Sequence, residues 1–154
     1  MKHLLKNPLT NAIGLSIFSG FYGLIFIQTS GHREFIELLY YDQGNGKNSF
    51  WQGWSSFLAS GRQAYIAYVL IAISILVVLT LLLRRRPYDE YHTQVLINCL
   101  AVATILTLTA IAIFYLAILS DPNGIVEKFT FFITIHWTTV VLSDLVYVYI
   151  CRWR

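Results

Sequence analysis

Residues 64–90 read AYIAYVLIAISILVVLTLLLRRRPYDE, and this stretch decides the fold class. Residues 64–83 pass without one charged side chain, and then Arg84, Arg85 and Arg86 arrive together. A helix crossing the roughly 30 Å hydrocarbon layer of a bilayer needs about 20 such residues at about 1.5 Å each. Pro87 ends that helix, and Asp89 and Glu90 suit the positive N-terminal end of the next one.

Three more runs of the same kind lie on either side, at about 9–29, 95–119 and 129–151. Composition agrees with them: 56% of the 154 residues are hydrophobic and 12% are charged. A soluble domain carries about 25% charged residues, so an ordinary cytosolic enzyme and a disordered tail are excluded. Two cysteines, Cys99 and Cys151, are too few for a disulfide-stapled scaffold and lack a CxxC spacing. Spanning strands would show short alternating segments, and the chain has none. The expected fold is an all-α integral membrane four-helix bundle, a single domain over 1–154 with one long outer loop at 31–63. Lys2 and Lys6 before the first run resemble a signal-peptide start, but the run is long and lacks an A-x-A-like site, so it reads as a retained helix.

Basic residues orient the bundle. One side would hold Lys2, Lys6, Arg84, Arg85, Arg86, Arg152 and Arg154, and the other Arg33, Lys47, Arg62 and Lys128. Seven against four places both termini in the cytoplasm, most simply at a bacterial inner membrane. The same bias accounts for the net charge of +3 without nucleic acid. Arg84 to Arg86 are expected to touch lipid phosphates or a cytoplasmic partner. In the outer loop, Phe50, Trp51, Trp54, Phe57 and Leu58 form a short helical pattern. Trp51, Trp54 and Leu58 share its face, which reads as an interfacial helix on the headgroups or a platform for a partner. The Asp121-Pro122-Asn123-Gly124 turn makes the third and fourth spans antiparallel neighbours.

Close packing and interhelical hydrogen bonds hold helices together in lipid, so small residues mark packing faces. The first span has Ala12, Ser16 and Gly20, with Ser19 and Gly23 beside them, and the third has Cys99, Ala103, Thr107 and Ala110. The second span has no such face, so the expected core is the first, third and fourth helices.

The fourth span is the polar one, with His136, Thr138, Thr139, Ser143, Asp144 and Tyr147. Asp144 lies about 10 Å inside the layer, where burying a carboxylate costs at least about 2.5–3.5 kcal/mol. Asn98, Asn11 and Ser143 are its expected partners. His136 lies about 12 Å further along the axis, bonded to a hydroxyl such as Thr104 or Thr107, or forming a polar ladder with Ser143, Asp144 and Tyr147. It has no second imidazole at its depth, so neither a metal nor a cofactor is expected. Four-helix enzymes that oxidise thiols through quinones need cysteine pairs, and glutathione-dependent ones need Arg and Glu within the second helix, which carries no charge here. The leading expectation is therefore a non-catalytic protein that acts by association, as a subunit of a larger assembly or as a homo-oligomeric sensor, immunity or defence component. An ion- or proton-conducting oligomer using Asp144 and His136 is the alternative. A redox subunit borrowing a cofactor is the third.

Overall fold

The computed structural model describes residues 7–44, 48–83 and 89–152, the side chain of Arg152 excepted. Arg84, Arg85 and Arg86 lie outside these residues. The elements are α1 (Pro8–Thr29), α2 (Arg33–Glu37), α3 (Ser49–Ala59), α4 (Gln63–Leu82), α5 (Glu90–Ser120) and α6 (Ile125–Arg152), and the described residues contain no strand. Four of them, α1, α4, α5 and α6, are long and apolar enough to cross a membrane.

Local chemistry sets the ends. The Asn7 side chain accepts from Leu9 N, and Pro8 occupies the first turn of α1, where its missing N–H costs nothing. Asp89 caps α5 by accepting from His92 N at 3.0 Å, and the His92 ring bonds back to it. These contacts hold the Asp89 carboxyl below its ordinary range, the backbone N–H of His92 contributing most. α5 therefore begins at Glu90 rather than 95, and α6 at Ile125 rather than 129. The turn added to α5 is polar and the one added to α6 carries Glu127 and Lys128, so hydropathy does not mark them although they continue the helix.

The helices assemble as two antiparallel pairs, α1 with α4 and α5 with α6, joined chiefly by α4 and α1 against α6. This corrects the expected core of first, third and fourth helices. α4 buries a stripe of Gln63, Ala67, Leu70, Ser74, Val77 and Leu81. It needs no small residues of its own, because α1 supplies the hollows. A Cβ on Gly23 would lie 2.3 Å from Ile71 Cδ1 of α4, so that side chain occupies the space glycine leaves. Gly20, by contrast, is exposed, with nothing within 4 Å of a Cβ built there; the packing row is Ala12, Leu15, Ser19, Gly23 instead. α5 is the peripheral helix: of its 31 residues only His92, Leu96 and Ala103 are buried.

Two apolar clusters fill the interior. Ala12, Val77, Leu81, Leu96, Tyr147 and Val148 pack near the end where α1 begins and α6 ends. Leu15, Phe26, Ala67, Leu70, Trp137 and Val141 fill the rest. Gly23→Leu is expected to destabilise the bundle by about 1–3 kcal/mol through overpacking, whereas Gly20→Leu is expected to be neutral. Thermal unfolding in detergent micelles distinguishes the two.

Candidate functional site

α6 is bonded directly to α1 and α5, and to α4 through Ser19 of α1. Its Asp144, 2% exposed, accepts from Asn11 Nδ2 of α1 at 3.1 Å to Oδ1 and 3.3 Å to Oδ2. Next to it in the chain, Ser143 Oγ donates to the Cys99 carbonyl of α5 at 2.8 Å. Midway along, Trp137 Nε1 donates to Ser19 Oγ of α1 at 3.0 Å, and Ser19 Oγ pairs with Ser74 Oγ of α4 at the same distance. Ser16 Oγ reaches the Ser74 carbonyl at 3.4 Å. Thr107 Oγ1 of α5 lies 3.1 Å from His136 Nδ1.

The expected site residues thus separate into different seams. Asn11 meets Asp144, but Asn98 does not: it is exposed on α5 and accepts from Gln94 Nε2 at 3.2 Å. Helical phase decides this, since Cys99 and Ala103 turn toward α6 and carry Asn98 away from it. Tyr147 is buried among Val77, Leu81 and Leu96. The Ser19–Ser74–Trp137 junction was not anticipated, because each residue alone reads as ordinary helix packing. A Trp within a span at the depth of two serines is the signal that could have exposed it, since a buried indole N–H needs an acceptor.

A second polar constellation sits at the opposite end of the bundle, where α1 ends and α6 begins. Glu127, 0% exposed, accepts from Tyr41 N at 3.0 Å and Ser55 Oγ at 3.1 Å. Trp54 Nε1 donates to the Glu127 carbonyl at 3.0 Å. Lys128, 2% exposed, donates to the carbonyls of Asp121 and Asn123, lies 3.3 Å from Asp121 Oδ2 and sits 5.8 Å from the Trp51 ring centroid. Tyr41 Oη donates to Asp121 Oδ2 at 2.5 Å. Trp51 and Trp54 therefore turn toward α6, against Phe131, and both stay half-buried. Lys128, counted as a loop charge from the sequence, is an internal tie. Gly124 closes this clasp: its φ is +66°, and a Cβ there would lie 2.2 Å from the Tyr41 ring.

Two recesses open beside α6. One, of about 300 Å³, lies between α5, α6 and the aromatic end of α3, lined by Trp51, Phe114, Phe131 and Phe132 among others. The other, of about 420 Å³, is a groove between α1 and α5, which touch each other little and leave part of α6 as its floor. The described residues contain no group of three or more His, Cys, Asp or Glu able to hold a metal ion. Neither family models, curated proteins nor solved structures match the chain.

The clasp is pH-dependent. Tyr41 Oη, Asn123 N and Lys128 hold the Asp121 carboxyl down at about 2, and burial together with Asp121 keeps the Tyr41 hydroxyl protonated well above its ordinary range. A carboxyl depressed in the folded state stabilises fully above its ordinary value of about 3.9, and the contribution is lost as pH falls through about 2. Trp51 and Trp54 emission is therefore expected to hold from pH 7 to about 4 and to shift below it. Tyr41→Phe, which removes the strongest bond to Asp121, is expected to move that shift to higher pH. Separately, Asn11→Leu strands the Asp144 carboxyl and is expected to cost about 1–3 kcal/mol in thermal unfolding.

Proposed function

We propose that this is a small multi-pass membrane protein that acts by association, with α5 as the helix it docks through. The observation that carries this reading is the isolation of α5, which packs along one seam against α6 and leaves the rest of its circumference exposed. Val102, Ile105, Leu108 and Leu116 are exposed on it, which lipid would tolerate. Asn98 and Gln94 are exposed as well. Their mutual bond leaves the Asn98 amide N–H groups and the Gln94 carbonyl to be met, and a second helix meets such groups better than acyl chains do. The partner is a membrane helix, from a second copy of the chain or from another subunit.

The charge bias supports both termini facing the cytoplasm, most simply across a bacterial inner membrane. Burial of Lys128 in the clasp strengthens that bias, because it removes one free cation from the opposite side. A sensor, immunity or defence component fits this description as well as a subunit of a larger assembly. Conduction through Asp144 and His136 finds less support. Asp144 is enclosed within one chain and bonded to Asn11, where a conducting oligomer needs it on a shared axis.

Energy transfer between differently labelled copies in liposomes tests self-association, and a photocrosslinker at position 98 in native membranes tests for another subunit. Asn98→Leu is expected to weaken association about threefold to tenfold, the worth of one interhelical hydrogen bond. A chain that stays monomeric in liposomes, and whose crosslinker captures only lipid, refutes the reading.

A further inference from the structure

We infer that the groove between α1 and α5 binds a lipid-soluble carbonyl compound of the isoprenoid-quinone class, with one ring carbonyl accepting from His136 Nε2. The groove is lined by Gly14, Leu15 and Phe18 of α1, Leu100 of α5, and Val140 and His136 of α6, with Thr10 and Asn11 toward the terminal end. Its volume of about 420 Å³ and mostly apolar walls with a few polar groups are those of a small-molecule site.

We assign the tautomer of His136 from its neighbours. On α5, Thr104 Oγ1 donates to the Leu100 carbonyl at 2.8 Å and Thr109 Oγ1 to the Ile105 carbonyl at 2.9 Å. Thr107 makes no such bond among the described residues, so its proton is available for His136 Nδ1, 3.1 Å away. Accepting there leaves the neutral imidazole with its own proton on Nε2. Among the described residues nothing accepts from Nε2, and His136 borders the groove. An N–H at mid-span without an acceptor is costly, so the site calls for a molecule that brings one.

Depth selects its class. His136 lies about 12 Å further into the bundle than Asp144, whose Asn11 partner marks the terminal end of the groove. Ester carbonyls of bilayer lipids stay at the headgroup boundary, and acyl chains carry no acceptor at all. A quinone ring dissolves in the hydrocarbon and presents a carbonyl there. Phe18 offers such a ring an aromatic wall, and Gly14 leaves it room, since a Cβ at that position meets nothing within 4 Å. The inference stands on the groove alone and is independent of what docks on α5.

The test uses the full chain in nanodiscs of synthetic phosphatidylcholine, titrated with decylubiquinone. Tryptophan emission reports binding through Trp137, which adjoins His136 in the chain, and the His136 Nε2–H ¹⁵N resonance reports the contact. Saturable quenching with a shift of that resonance is expected. Gly14→Leu, which fills the groove from an exposed helix position, is expected to abolish saturation without lowering the melting temperature. His136→Phe is expected to weaken binding about tenfold, the worth of one hydrogen bond. Should either variant fail to fold, the resonance shift in the native chain decides. Quenching that rises only in proportion to the quinone-to-lipid ratio, saturation unchanged in Gly14→Leu, an unmoved resonance, or a co-purified lipid in the groove that decylubiquinone does not displace would each overturn the inference.

Discussion

Nothing in an apolar bundle replaces the water that a polar side chain loses, so each one must find its partner inside the fold. In this chain that constraint converges on α6. Asp144 and Trp137 tie it to α1, Ser19 carries the tie on to α4, and Ser143 and His136 tie it to α5. Apolar contacts between helices are no better than contacts with lipid tails, and so set little by themselves. The hydrogen bonds set which faces meet, and the small residues beside them let the backbones approach.

The clasp at the far end of the bundle obeys the same rule with charges. Glu127 and Lys128 stand next to each other at the head of α6, both buried, and each is bonded in a different direction. Glu127 gathers the chain between α1 and α4 through Tyr41 N and Ser55, while Lys128 closes the turn between α5 and α6 through its carbonyls. An adjacent acid and base thus fasten the two helical pairs at one point. Truncating one partner of such a set leaves the other buried and uncompensated, which is why it is held by several bonds rather than one.

The four spans were legible because hydropathy over about 20 residues needs no knowledge of neighbours. Their partners were not. Small residues show that a face can be approached closely, but not which helix approaches, and a large side chain on the other helix serves as well as a second glycine. Ile71 above Gly23 is that case, and it put α4 in the core where the sequence alone suggested lipid. Asn11 with Asp144 was legible because depth narrows the choice to a few polar groups. Asn98 failed because depth does not include helical phase. Glu127 and Lys128 were missed since a charge three or four residues past a turn normally points to water, and only the fold of the 31–63 segment reverses that.

The same asymmetry gives α5 its two distinctive surfaces. A helix held by a single seam must leave its other faces either to a partner or to lipid. Where it also stands off from a neighbour across the common support, a groove results. α5 does both: its outer face carries the Gln94–Asn98 pair, and its inner flank stands apart from α1 over the His136 region of α6. Bringing α1 and α5 together would close the groove and satisfy more surface within one chain. Of the lining residues on α1 only Thr10 and Asn11 can form side-chain hydrogen bonds, Asn11 is already bonded to Asp144, and Leu100, the groove's lining residue on α5, offers them no partner. The bundle therefore stays open on that side for the reason that it is closed elsewhere: polar pairs choose the contacts, and this flank was given none.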